Sequence, residues 1–186
     1  MCFARKVKIM QLVNTRYAEA LIDVTEEKNS TNEVLNDFAT ILKLFEENPE
    51  FYSFLLNPQV LIETKKKAMQ NVFGGRIEEE LLNLLMLLLD KGRLKNIRSI
   101  MDEYSRMADE RKDILRMKII SAFPLEDMQI DKIKEKYRKL YNKTDVKAKF
   151  VLDESLIGGI RIQIGDKIID DSIKARLMSL KEIMLK

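Results

Sequence analysis

Histidine is absent from the 186-residue chain. That removes Ser–His and Cys–His nucleophile pairs, and with them every zinc site that needs an imidazole. Tryptophan is absent too, and the single cysteine, Cys2, has no partner for an internal disulfide. A reducing compartment is the simplest setting for such a chain. No stretch approaches the roughly 18 consecutive apolar residues that a membrane-spanning helix needs. The first ten residues, MCFARKVKIM, are basic without a long apolar core, so they make a poor secretory signal, and either Met1 or Met10 could be the initiator. Lysine or carboxylate chemistry survives these exclusions. Yet no catalytic constellation, metal-ligand cluster or cofactor motif stands out, and acid pairs such as Glu46-Glu47 fall at exposed helix ends.

Apolar residues make up 46% and charged residues 34% of the chain, the balance of a helix-rich globular protein rather than a disordered one. The net charge of +3 conceals two halves of opposite sign. Tyr17 to Glu80 holds 13 acidic and 6 basic residues, whereas Leu81 to the end holds 17 acidic and 23 basic. Two modules meeting different partners would produce that split.

The first hundred-odd residues are patterned as successive helices. Val13, Tyr17, Ala20, Leu21 and Val24 recur at helical spacing, as do Leu35, Phe38, Ile41, Leu42 and Phe45. Ser30 and Glu33 have the spacing of a capping box at the start of the second helix. Asn48-Pro49 opens a short helix that Asn57-Pro58 ends. A further helix from about Glu63 to Phe73 stops at Gly74-Gly75. The segment LLNLLMLLL, Leu81 to Leu89, is apolar on every side except at Asn83, so protein must cover most of its circumference. Either its own bundle encloses it, or one side forms the wall of a groove for a partner helix. Gly92 closes it. Leu94, Ile97, Ile100, Met101, Tyr104 and Met107 then begin the next helix.

Beyond residue 112 the period changes. Ile114 to Ala122 alternates, and so do DVKAKFVL and GIRIQIG, each the pattern of a strand. Ile130, Ile133, Tyr137, Leu140 and Tyr141 mark a helix between them. The last helix, capped by Asp171 or Ser172, aligns Ile173, Leu177, Leu180 and Met184. The expected fold is mainly α: a six-helix N-terminal bundle over 1–112 and a small α+β domain over 113–186.

Three of the six glycines crowd into LIGGIRIQIGDKIIDDSIKARL, which begins at Leu156. A phosphate loop would read G-x-G-x-x-G or G-x-x-x-x-G-K-[ST] ahead of a helix. This segment fits neither, and its glycine pair precedes a strand. Gly158-Gly159 therefore serves the backbone, and Gly165-Asp166 is expected to turn a hairpin.

The same segment resembles the C-terminal signature of the δ subunit of F-type ATP synthases, a family that includes the oligomycin sensitivity-conferring protein. Leu156, Gly158, Gly159, Gly165, Asp166, Asp170, Ser172, Arg176, Leu177 and Leu180 match that pattern. Asp171 departs from it, standing where the family usually has glycine. RYAEAL (Arg16 to Leu21), the Gly92-Arg93-Leu94 turn and ISAFPL (Ile120 to Leu125) resemble further family segments in the same order.

The resemblance implies a non-catalytic subunit of the peripheral stalk, with no cofactor or metal. An N-terminal domain would cap the catalytic head by binding N-terminal helices of the α subunits, and a C-terminal domain would hold the b subunits. Membrane contact would be indirect, through the complex, on the cytoplasmic face of the cell membrane. The family's head-binding groove lies between the first and fifth helices, which implies Tyr17, Ala18, Ala20, Leu21, Leu84, Leu87 and Leu88 in this chain. Each of these is equally at home in a core. The run from Asp131 to Lys149, with eight basic residues against three acids, is either a solvated face or an electrostatic dock for acidic b-subunit ends. The rival is a two-domain nucleic-acid-binding protein using the basic C-terminal part. The acidic N-terminal half and the lack of closely spaced aromatic pairs on the strands speak against it, and no nucleic-acid partner is expected.

Overall fold

The computed structural model describes residues 2–184, with side chains given for 12–178 and for Lys181. The side chains of Met10, Leu180 and Met184, all named above, lie outside the described residues. Helical periodicity gives α1 (Cys2–Glu27), α2 (Thr31–Glu47), α3 (Pro49–Leu56), α4 (Ile62–Phe73), α5 (Glu79–Asp90) and α6 (Ile97–Arg111), the last preceded by one 3-10 turn at Leu94–Asn96. Then come β1 (Ile114–Ser121), α7 (Asp127–Leu140), β2 (Asp145–Leu152), a 3-10 turn at Glu154–Leu156, β3 (Ile160–Ile164), β4 (Lys167–Asp170) and α8 (Ile173–Met184). The protein is mainly helical, with a small four-stranded sheet in its C-terminal part.

Two compact units result, Met1–Ala108 and Asp109–Lys186. The boundary falls inside α6, earlier than the change of period at residue 112. The last turn of the helix goes with the second unit, where the buried Asp109 carboxylate binds Arg116 of β1 and Lys147 of β2.

In the first unit the inward faces meet in one cluster that includes Ile22 of α1, Phe38 and Ile41 of α2, Met69 of α4, Leu81 and Leu85 of α5, and Ile100 and Tyr104 of α6. Rings organise it. Phe45 stacks on Tyr52 at 4.9 Å and meets Phe73 edge-on at 6.2 Å, while Phe38 lies 5.6 Å from Tyr104. The Tyr104 phenol is fully buried and pairs with the Thr25 hydroxyl at 2.7 Å, which satisfies its polar end. Burial pushes that phenol's pKa up.

Ser30 departs from its expected role. It makes no side-chain cap, and its hydroxyl is buried without a partner. The helix before it explains why. Asn29 takes a positive φ of 57°, Asn29 N–H donates to Glu26 at 3.0 Å, and Ser30 N–H donates to Thr25 at 2.9 Å. That is a Schellman ending for α1, and it holds Ser30 at φ −101°, ψ 17°, away from the extended backbone an N-cap needs.

The second unit orders its sheet β2-β1-β3-β4. β1 and β2 run parallel, joined through α7, whereas β3 pairs antiparallel with β1 and with β4. Leu115, Met117, Ile119, Val146, Ile162 and Ile164 share the face that α7 covers with Tyr137, Ile130 and Ile133. Leu140, expected on that stripe, stays exposed at the helix end. The start of α7 carries a bond that the sequence reading did not anticipate, from Glu126 N–H to the Gln129 side-chain oxygen at 3.0 Å. On α8 the expected apolar face is not covered at its described positions, and Leu177 remains 54% exposed.

Candidate functional site

The five residues aligned on the first helix do not all face the core. Asn14, Ala18, Leu21, Ile22 and Thr25 turn inward, whereas Tyr17, Ala20 and Val24 look out beside α5. α5 is covered at Leu81, Leu82, Leu84, Leu85, Leu88 and Leu89, leaving Asn83 and Leu87 on its open side. Between the two helices lies a groove of about 300 Å³, lined by Tyr17, Ala20, Leu21, Val24, Glu80, Asn83, Leu84 and Leu87. Leu21 and Leu84 form its floor and are nearly buried. Val24 and Leu87 form its walls, at 43% and 41% exposure. Ala20 opens space in the wall, so another helix could approach α1 closely there.

Two residues implied for this groove lie elsewhere. Ala18 and Leu88 are both 0% exposed and pack into the unit's own core, so they support the groove from beneath rather than line it. The other five, Tyr17, Ala20, Leu21, Leu84 and Leu87, come together.

Polar contacts bracket the groove. At one end the Lys28 ammonium donates to the Glu80 carboxylate. This hydrogen bond lowers the Glu80 pKa and raises that of Lys28. At the other end Arg93 Nη1 donates to the Tyr17 hydroxyl at 3.0 Å, with the guanidinium 6.0 Å from the ring centre. Local sequence places that arginine. Gly92, at φ 61°, ends α5 in a second Schellman motif, with Gly92 N–H on Leu89 and Arg93 N–H on Leu88. The Gly-Arg pair was legible in the sequence as a turn. Its contact with Tyr17, 76 residues away, was not, and Lys28 carried no signal at all.

The glycine-rich motif builds a joint. Leu156 is fully buried with Ile120 and Ala122. A Cβ on Gly158 would lie 2.7 Å from the Ile173 side chain, and one on Gly159, at φ 78°, would lie 2.6 Å from the Asp171 carbonyl oxygen. Gly165, at φ 55°, and Asp166 form the two-residue turn between Ile164 and Lys167. The Asp170 carboxylate accepts from Ser172 N–H at 3.0 Å and from Arg161 Nε at 2.7 Å. Bonding to Ser172, aided by Arg161, lowers its pKa. Ser172 caps α8, its hydroxyl accepting from Ala175 N–H at 3.2 Å. Asp171 needs no positive φ, so its departure from glycine leaves the turn intact. Arg176 and Leu177 are exposed, and the Leu180 side chain lies outside the described residues.

Residues 13–184 match the family described as ATP synthase delta (OSCP) subunit. The chain belongs to that family. Its role is that of a non-catalytic stator subunit. The chain is 70% identical over 176 residues to the ATP synthase subunit delta of Acetivibrio thermocellus, covering 95% of this chain and 99% of the relative. It is 37% identical over 175 residues to the corresponding subunit of Ruminiclostridium cellulolyticum. Among solved structures, a chain of the Toxoplasma gondii mitochondrial ATP synthase hexamer shares the fold. It has a TM-score of 0.72 at 20% identity, covering 93% of this chain and 97% of that one. Like other members of the delta (OSCP) family, this one is peripheral to the membrane-embedded complex, and none of its described helices is long and apolar enough to cross a membrane.

The basic run of this delta-family chain is partly paired with acids of the same chain. Lys134 pairs with Asp131, Arg138 and Lys139 with Glu135, and Lys143 with Asp113. Hydrogen bonds from Arg138 and Lys139 hold the Glu135 pKa down to about 2.

Proposed function

We propose that the first unit is the six-helix bundle that caps the catalytic head, and that the groove between α1 and α5 receives the N-terminal helix of an α subunit. The second unit, over the C-terminal residues, holds the ends of the b subunits. The assembly works on the cytoplasmic face of the membrane. Together these contacts tie the head to the stalk and resist the torque of the rotor.

One observation carries the reading: an apolar groove floored by Leu21 and Leu84, walled by Val24 and Leu87, and closed at its ends by Lys28–Glu80 and Arg93–Tyr17. A helix laid there buries apolar anchors at i, i+3 and i+7 while its polar flanks meet charged rims. Torque passes through static contacts, so the job calls for apolar area with a few central anchors and no reactive group. Tyr17 suits the rim, because its ring supplies area and its hydroxyl meets Arg93.

Titrating the full chain with a peptide of the α-subunit N-terminus tests this directly. Saturable binding that Tyr17→Asp and Leu87→Lys both weaken supports the groove. Binding that neither variant changes refutes it.

A further inference from the structure

The face of the sheet turned away from α7 is cationic and open. Arg116, Lys118, Lys147, Lys149 and Gln163 line a hollow there of about 490 Å³. We propose that this face docks an acidic helix of the stalk, whose carboxylates at i and i+4 lie over Lys118 and Lys149. The inference rests on the reading that the second unit holds the stalk chains.

Topology argues first. β1 and β2 pair in parallel over Ile114–Ser121 and Asp145–Leu152, and parallel pairs are ordinarily covered on both faces. α7 covers one. The register argues next. It sets Arg116 beside Lys147 and Lys118 beside Lys149, and like charges directly opposed on one face are unfavourable. The protein settles the first rung itself, because Asp109, 3% exposed at its side chain, accepts from Arg116 Nε at 2.6 Å and from Lys147 Nζ at 2.7 Å. The second rung has no such answer. Among the described residues no carboxylate pairs with Lys118 or Lys149. An incoming acidic group supplies there what Asp109 supplies one rung away.

Shape and chemistry narrow the occupant to a helix. The pairings run Lys149, Lys118, Gln163, Ile168 in one row across all four strands, from two ammonium groups to an apolar side chain 62% exposed. An amphipathic helix lying across the strands, acidic where it meets Lys149 and Lys118 and apolar farther along toward Ile168, matches that row. Lys118 and Lys149 face each other across neighbouring strands, which lie roughly 4.8 Å apart, close to the roughly 5–6 Å between helical positions i and i+4. Among the described residues no aromatic ring stands on this face to stack a base, and Asp109 and Asp170 border it, which disfavours nucleic acid.

The test is co-purification of the tagged full chain with its own b subunit at physiological salt, quantified by mass spectrometry. Wild type captures the b subunit, and Lys118→Glu/Lys149→Glu captures at least about tenfold less, as expected when complementary interfacial charges become repulsive. The charge-matched control on α7, Lys132→Glu/Lys136→Glu, captures as wild type does. If the glutamate pair melts early, Lys118→Gln/Lys149→Gln supplies the same comparison. Undiminished capture by the Lys118/Lys149 variants overturns the inference and leaves the stalk reading standing. Absence of capture by wild type overturns both. Binding of short duplex DNA that is lost in these variants, with b-subunit capture unchanged, also overturns it.

Discussion

Arg93 lies against Tyr17, its Nη1 3.0 Å from the phenolic oxygen and its guanidinium 6.0 Å from the ring centre. One residue follows the glycine that ends α5 and the other stands on α1. Their contact therefore fixes the Tyr17 ring at the rim of the groove rather than leaving it free over solvent. Ring and guanidinium together close one end of an apolar channel, as Lys28 and Glu80 close the other.

The groove and the core beneath it separate by substitution. Ala20→Leu fills the channel from an exposed position and should weaken head binding about tenfold, or roughly 1.4 kcal/mol, with little change in stability. Ala18→Leu overpacks a fully buried site and should cost about 1–3 kcal/mol of stability. Thermal melting and titration with the α-subunit peptide, run on both variants, check the contrast. Equal stability losses in the two would show that Ala20 is also core.

Ser30→Ala tests the cap that did not form. Its hydroxyl is buried and unpaired. Removing it should leave stability unchanged or raise it by about 1 kcal/mol. A loss of about 1 kcal/mol, the ordinary N-cap penalty, would mean that the hydroxyl caps α2 in solution. Denaturant unfolding of the full chain decides.

Gly159 and Gly165 differ in what a side chain would meet. Both have positive φ, but a Cβ at 159 strikes the Asp171 carbonyl oxygen, whereas one at 165 meets open space. Gly165→Ala should cost about 1–2 kcal/mol of backbone strain. Gly159→Ala should cost more and loosen the start of α8. Amide hydrogen exchange would show that as lost protection at Ile173 and Arg176, whose N–H groups bond to Gly158 and Ser172. Equal effects at the two glycines would refute the close packing.

The second unit should weaken in acid. Asp170 has a folded pKa below its ordinary value of 3.8, because it accepts from Ser172 and Arg161. The native state then binds fewer protons than the unfolded one as pH falls through that range. Its contribution is complete above pH 3.8 and is lost as pH drops toward the folded pKa. Asp170→Asn should lower stability at neutral pH and flatten the acid side of the melting profile. An unchanged acid limb would exclude Asp170 as the source.

Much of the fold was legible because its causes are local. Pro49 and Pro58 punctuate helices through the φ that a ring imposes and the N–H it removes. Gly165-Asp166 turns a hairpin because only two residues separate two alternating strands. The misses came where a neighbouring element claimed the same residue. Ser30 had the spacing of a cap, but the end of α1 set its backbone first. The change of period stands at residue 112, yet the carboxylate of Asp109, still within α6, reaches Arg116 and Lys147 of the sheet.

The sequence by itself determined that α1 and α5 are helices carrying more apolar surface than one seam can use. It did not determine which sector of each looks outward. Ala18 and Ala20 stand two residues apart, hence roughly 200° apart around the axis, and a small apolar side chain suits either a core or a groove. Packing of α1 against α2 and α5 turned Ala18 inward and left Ala20 beside Leu87. That choice belongs to the tertiary structure, because only the sum of contacts from distant segments sets the rotation of a helix about its own axis.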